Sequence, residues 1–478
     1  MYGLIVIGDD LASHVAAVTA SSRGIKTALI AESGIACESM IGELAFNTDS
    51  TPFTGVGDHE IFSSLLYELG VLPKTTSLNP AYQVILPDKR IDFFNDKDDL
   101  TRELIREFPE LANEIKSFYD EIERSSAIAE NWFTRHPVIQ PKSSRDFLDF
   151  LKLAPQLIKS ILFNIKFKKV IAQNPCFQKI MEAQQALLSF HYHQSNSLFS
   201  DYICATPLRG VYYFPDGKHI FFNDLIRKLD AADGLYVKNR EILSVRKDRI
   251  IEVTYKDDNG VGVKIESENL IVSTKWQNMH LILDRKKKFN FGDFIRPAKI
   301  AFYPFTLHLG IKPQCLPEKM ARHVAVVCDV NKDIYDDHNL ILLKSGASQN
   351  QEAVTSSVAP LSVTVFLPDH PDVWGEDKLA ERADAILDHL DFFLPFLKEN
   401  IELFDIHESI RLSRKQRNVV NPKYNIRNSF LTGFAAKSNT TRFGNIYLTG
   451  ASLLADAGFT GEVLSGVNAV KHVSSKRK

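Results

Sequence analysis

The spacing of hydrophobic and polar positions changes period twice within the first 32 residues. Leu4-Ile5-Val6-Ile7 is a continuous apolar run, as expected of a strand buried on both faces. Leu11 to Ser22 carries small and apolar residues at helical spacing and runs into Arg23-Gly24, where glycine suits a helix end. Thr27-Ala28-Leu29-Ile30 is a second buried strand, followed by Glu32. This pattern predicts a βαβ unit with a right-handed crossover.

The middle of the chain is less regular. Residues 100–135 are charged with a helical pattern. Residues 146–172 form a basic amphipathic stretch whose apolar members are Phe147, Leu148, Phe150, Leu151, Leu153, Leu157, Ile158, Ile161, Leu162, Phe163, Ile165 and Phe167, with Lys152, Lys159, Lys166, Lys168 and Lys169. Pro155 predicts a break into two shorter helices. From Leu235 the pattern becomes strand-like: 235–237, 242–245, 250–255, a turn at Asp257-Asp258-Asn259-Gly260, then 261–265 and 270–272. Residues 299–311 and 361–367 are further strand candidates, and 378–404 reads as a long helix kinked at Pro395. At the end, Asn445–Thr449 reads as a strand, Gly450 to Gly461 as a glycine-punctuated loop, and Glu462 to Val473 as a helix.

Composition narrows the class without naming a function. The 478 residues carry 57 Lys+Arg and 59 Asp+Glu, a net charge of −2, which disfavours a general nucleic-acid binder. Cys37, Cys176, Cys204, Cys315 and Cys328 are odd in number and lack CxxC spacing, so neither a disulfide framework nor a structural zinc site is expected. No metal site is expected elsewhere; His191 and His193 lack nearby supporting ligands and read as structural or cavity-lining, with Tyr192. No secretory signal and no membrane-spanning stretch is evident, which points to a cytoplasmic protein. Phe is abundant at 32 residues, and Phe289, Phe291, Phe294, Phe302, Phe305, Phe392, Phe393 and Phe396 suit either core packing or an apolar tunnel. Hydrolase, kinase and zinc-protease nucleophile motifs are absent.

The first βαβ turn is where a dinucleotide fold places G-x-G-x-x-G. Here it reads Gly8-Asp9-Asp10-Leu11-Ala12-Ser13, so only the first glycine is present. Ser13 is a small substitute for the packing glycine. Asp10 stands where the backbone would approach a diphosphate, and a carboxylate about 4 Å from a phosphate costs on the order of 4 kcal/mol at an effective dielectric of 20. Alternatively Asp9 or Asp10 caps the helix. Glu32 stands where an acidic residue would hold a ribose.

The chain resembles the phytoene desaturase family of FAD-dependent oxidoreductases, within the broader amine-oxidase-like flavoproteins. Phe46-Asn47-Thr48-Asp49, Glu68-Leu69-Gly70, Pro207 to Gly217, and Asp233-Gly234 to Val245 carry part of the resemblance. Its densest part is C-terminal: Asn445 to Ala451, then Ala457-Gly458-Phe459-Thr460-Gly461, then Leu464-Ser465-Gly466. The resemblance implies FAD held by Gly8, Ser13, Glu32, Gly42, Ile242, Gly450, Ala451, Gly458, Phe459 and Gly461, with no catalytic side chain assigned. A helix N-terminus at Gly458–Gly461 would favour negative charge on reduced flavin. Three acids depart from the pattern at positions where the cofactor favours neutral or basic residues: Asp10, Glu43 and Glu462. Asp456 also replaces a small residue.

The expected architecture is α/β and two-domain, with a Rossmann-like FAD domain built from 1–70, 205–290 and 415–478 and a substrate domain from 71–204 and 291–414. The implied function is FAD-dependent oxidation of a hydrophobic isoprenoid or lipid-like substrate by hydride transfer to flavin, of desaturase, isomerase or saturase type. The acid substitutions sustain an alternative, a noncatalytic carrier or chaperone for an apolar ligand or protein partner. The lysines of 146–172 suit an anionic membrane surface, which would place the protein peripherally on the inner membrane face.

Overall fold

A computed structural model describes residues 1–33, 38–57, 60–135, 144–192, 198–284, 289–290, 299–336, 338–346, 358–417, 420–425, 439–441 and 443–475. Cys37, His193, Phe291, Phe294 and the terminal 476–478 lie outside these residues.

The N-terminal pattern folds as a βαβ unit: β1 (Tyr2–Ile7), α1 (Leu11–Ser22) and β2 (Thr27–Ala31). α1 closes where expected. Gly24 adopts φ +73°, and its N–H and that of Ile25 cap the carbonyls of Ser21 and Ala20. β1 pairs in parallel with β2 on one side and with the strand Gly262–Ser273 on the other. Leu235–Lys238 extends the sheet in parallel beyond β2, and Ile446–Thr449 pairs in parallel with the end of Gly262–Ser273. Both ends of the chain therefore build one sheet. Ile5, Ile7, Ala28 and Ile30 are fully buried on one of its faces, and Leu4, Val6 and Leu29 on the other. Continuous apolar strands are what a doubly covered parallel sheet requires.

A meander of Ile242–Lys247, Ile251–Lys256 and Gly262–Ser273 continues the same sheet, its neighbouring strands antiparallel. The two segments predicted at 261–265 and 270–272 are one strand, because its first half pairs with the meander and its second half with β1.

A second, largely antiparallel sheet is built around Lys299–Ile311 and Ala359–Pro368. Leu340–Ser345, His323–Val327, Tyr82–Ile85 and Arg90–Phe93 follow in order. Its core includes Phe305, Leu307, Val324, Val363, Leu379 and Ile386.

Three sequence expectations are corrected. Ser144–Ile171 is one helix running through Pro155. Leu151 is 49% exposed there, so water can satisfy the carbonyl that proline leaves without a donor. The helix predicted over 378–404 is Glu376–Phe393, because Leu394 precedes Pro395 and takes φ −132°. Ile401–Phe404 then forms a strand paired with Lys299–Ile311. The last helix begins at Gly458 instead of Glu462. Phe392 and Phe396 are 70% and 63% exposed, so they line no interior tunnel, whereas Phe305 is core.

Candidate functional site

The carboxyl ends of β1, Gly262–Ser273 and Ile446–Thr449 lie side by side, the place where open α/β sheets bind ligands. Two helices start there, α1 and the last helix, Gly458–Ser475. Their close packing depends on Gly466, where an added Cβ would sit 2.4 Å from the Ala12 carbonyl oxygen. A cavity of about 60 Å³ opens at this point, lined by Asp9, Asp10, Asp49, Lys218, Lys275, Phe459 and Glu462 among others.

Asp10 decides the character of this corner. It is 4% exposed and N-caps α1, accepting from the Ser13 N–H at 2.9 Å. The hydroxyls of Ser13 and Ser273 donate to the same carboxylate at 2.5 and 2.6 Å. Gly8 is needed beside them, since a Cβ there would meet Ser13 Oγ at 2.3 Å. Gly450 closes the other side at φ +122°, and a Cβ added there would stand 3.2 Å from Asp10 Oδ2. The chain's own carboxylate thus occupies the positive end of α1, where a dinucleotide fold receives a diphosphate.

Glu32 shows the same kind of internal satisfaction. Its Oε1 accepts the Ile242 N–H at 2.7 Å, and its Oε2 accepts Trp276 Nε1 at 2.5 Å and Asn278 Nδ2 at 3.2 Å. Glu32 and Ile242 are therefore brought together, with an indole and an amide where ribose hydroxyls would compete for the carboxylate. Nothing in the strand pattern marked Trp276 or Asn278, because both follow the strand end in a short turn.

Glu462 is 2% exposed, bonded to Asn421 Nδ2 at 3.1 Å and 3.9 Å from Lys275 Nζ. Burial pushes its carboxyl up, opposed by Lys275 and reinforced by the charge of Asp10. Glu43 belongs elsewhere. It sits beside Gly42 in the exposed turn between Glu38–Ile41 and Leu44–Asn47, and neither lines this cavity.

The C-terminal glycines are required by close approach. A Cβ on Gly458 would lie 2.5 Å from the Leu188 carbonyl oxygen, and one on Gly461 would lie 2.2 Å from that of Leu454. Ala451 is fully buried, and Phe459 packs on Phe53 with ring centroids 5.3 Å apart. Asp456 is buried against His191, with Oδ1 2.9 Å from Nδ1. A further cavity of about 400 Å³ is lined by His191, Tyr192, Tyr335, Glu182 and Asp333 among others.

No family model matches the chain, and no curated protein matches it. Solved structures do match. A triple variant of putrescine oxidase redesigned in its cofactor binding aligns with a TM-score of 0.62 at 12% identity, over 99% of both chains. An oxidoreductase from Methanosarcina mazei gives 0.58 at 12% identity over 100% of both. Cyclohexylamine oxidase from Brevibacterium oxydans gives 0.57 at 10% identity over 100% of both. The chain shares the fold of these oxidases.

The site can be tested against FAD, the cofactor this fold implies. The last-helix end fits: Phe459 of its first turn lines the cavity, and Gly450 stands beside Asp10, which lines it too. The adenosine and diphosphate end does not fit as the side chains stand. Asp10 fills the helix cap, and Trp276 and Asn278 hold Glu32.

Proposed function

We propose that this chain is a flavin-type oxidoreductase acting on an apolar, lipid-like substrate. The observation that carries the reading is the convergence of two helix N-termini on one cavity at the carboxyl ends of parallel strands contributed by both ends of the chain. FAD uptake requires Asp10 and Trp276 to yield. The test is direct: purified protein, as isolated and after incubation with FAD, is examined for a bound-flavin visible spectrum. Flavin retained through desalting supports the reading. Colourless protein that takes up no FAD overturns it.

The lipid-like substrate and a membrane surface are supported by one helix face. Leu148, Leu151, Ile158, Leu162 and Ile165 are each 37–61% exposed along Ser144–Ile171, and they form a single stripe at helical spacing. Exposed Lys152, Lys159 and Lys166 follow one edge of it at seven-residue intervals. An apolar stripe with a basic edge suits anionic headgroups. No helix among the described residues is long and apolar enough to cross a membrane. Cosedimentation with vesicles containing anionic lipid, lost when Ile158→Glu is combined with Leu162→Glu, tests this surface. Equal binding to neutral vesicles would remove the electrostatic part. Putrescine oxidase and cyclohexylamine oxidase are named for amines, so a substrate screen should include amines beside isoprenoid lipids.

A second reading has its own observation. The internal cap by Asp10 and the internal donors to Glu32 favour a noncatalytic carrier of an apolar ligand or protein. The same FAD experiment separates the two.

A further inference from the structure

A second cavity adjoins the first and shares Phe53 and Lys218 with it. It has a volume of about 120 Å³. Cations reach it from three separate elements. Lys218 is the first residue of the helix Lys218–Ala231, Arg322 precedes the strand His323–Val327, and Lys344 lies in Leu340–Ser345. The two strands are paired, with His323 opposite Lys344, so Arg322 and Lys344 are held close by sheet register.

These cations lack matching carboxylates. Lys344 is 7% exposed, and its Nζ donates to the Asp49 carbonyl at 2.8 Å. Arg322 lies over the Tyr213 ring at 4.5 Å, while its buried Nε has no hydrogen-bond partner. Lys218 rests over Phe53 and Phe459 at 5.6 and 5.3 Å. Among the described residues, none of the three is within ion-pair distance of a carboxylate. The one acid lining the cavity, Glu38, is partly exposed and sits 3.5 Å from His219 Nδ1. Burial holds the Lys344 ammonium well below its usual range, and Lys218 and Arg322 push it the same way, against Asp49 and Glu38.

The helix start adds a second, independent feature. Gly217 caps Lys218–Ala231 without a side-chain bond, and no acid lies in the first turn. Gly217 and Lys218 both line the cavity, so the positive helix end accompanies the cations, with Glu38 Oε1 2.5 Å from where a Cβ on Gly217 would stand. Buried charge is normally compensated by a partner.

We propose that this cavity binds an oxyanion, the carboxylate or phosphate group of a small ligand, among Lys218, Arg322 and Lys344. The volume is several times the roughly 10–15 Å³ that one water needs, enough for an anionic head group. The rest of the ligand extends past Phe53 toward the first cavity or outward along Tyr212 and Pro215. This site does not depend on flavin binding.

The test uses the full chain in flavin-free buffer, titrated with inorganic phosphate and separately with acetate at ionic strength held constant with chloride. Calorimetry and thermal unfolding read the binding. One of the two anions should bind saturably and raise the unfolding temperature, and which one does so separates a phosphate ligand from a carboxylate ligand. Arg322→Met, Lys344→Met and Lys218→Met should each weaken that binding at least tenfold, while Lys116→Met, on an exposed helix position, leaves it unchanged. Without anion, the Arg322 and Lys344 variants should unfold no earlier than the parent, since each removes a cation, Lys344 buried and Arg322 partly so, that has no carboxylate partner. Lys218 is only partly buried and bonds to nothing else, so its variant serves if the other two fail to fold. Neither anion exceeding chloride, or unchanged binding in Lys218→Met, overturns the proposal.

Discussion

Replacing Asp10 by glycine should move stability and FAD affinity in opposite directions. The side chain accepts from one backbone N–H and two hydroxyls in a corner that is 4% exposed. An N-cap contributes about 1 kcal/mol, although glycine retains most of that. Hydrogen bonds to a charged acceptor contribute about 1.5–3 kcal/mol each, and Ser13 Oγ and Ser273 Oγ would both lose theirs. Relief of burial and of repulsion with Glu462 offsets part of this. A net loss of about 2–4 kcal/mol is expected, read as a lower urea midpoint at unchanged slope. Diphosphate binding gains because a carboxylate about 4 Å from a phosphate costs on the order of 4 kcal/mol. Even a third of that, about 1.4 kcal/mol, is tenfold in Kd. Flavin fluorescence titration measures it. Asp10→Asn keeps an acceptor for Ser13 N–H, so it should retain most of the stability and show part of the affinity gain. Destabilisation without tighter FAD binding in either variant would refute the placement of the diphosphate at the α1 N-terminus. Tighter binding without destabilisation would refute the structural role of the cap.

Three other variants probe groups that burial perturbs. Trp276→Phe removes one donor from Glu32 and should cost about 1.5–3 kcal/mol in urea unfolding while tightening any FAD binding; unchanged stability would mean the indole bond is not formed in solution. Glu60 is 4% exposed with both carboxyl oxygens lacking partners, and burial, opposed by Arg209 and aided by Glu130, raises its pKa from 4.5 to about 7. The folded state therefore holds this proton between pH 4.5 and 7, so its contribution falls as pH rises through that window, and Glu60→Gln should be the more stable by about 3 kcal/mol at pH 8 with little difference at pH 4.5. Lys423 is 2% exposed, and burial lowers its pKa to about 7, while its Nζ donates to the carbonyls of Ala186 and Ser189 at 2.5 and 2.6 Å. Here the unfolded chain holds the extra proton, so stability rises with pH between 7 and 10.5, and the urea midpoint of Lys423→Met should lack that rise.

Much of the fold was legible because its signals are local. The apolar run at Leu4–Ile7, the glycine at 24 and the second run at Thr27–Ile30 set β1, α1 and β2 close to where they form. Where local signals failed, a distant partner had decided. Ile401–Phe404 is a strand because Lys299–Ile311 offers it an edge, and no helical period in 378–404 reports that. Pro155 is tolerated because the turn before it faces water, a property of placement and not of sequence.

The site was legible in its glycines and not in its charges. Gly8, Gly450, Gly458 and Gly461 announce themselves because a Cβ at each would strike an atom fixed by the backbone or a buried hydroxyl. An acid carries no such constraint, and its meaning depends on who donates to it. Asp10 as a letter in the sequence is either a repellent to phosphate or a helix cap. Ser273, 263 residues away, makes it a cap, and the capped carboxylate then stands in the corner that a diphosphate would need. Glu32 follows the same logic, with Trp276 and Asn278 as donors instead of a ribose. Lys218, Arg322 and Lys344 extend it, since they are unremarkable singly and become a binding hypothesis only once sheet register gathers them around one cavity without a carboxylate to match. In this chain the backbone brings two helix starts and the ends of parallel strands to one cavity, and long-range side-chain partners decide what charge that cavity already holds.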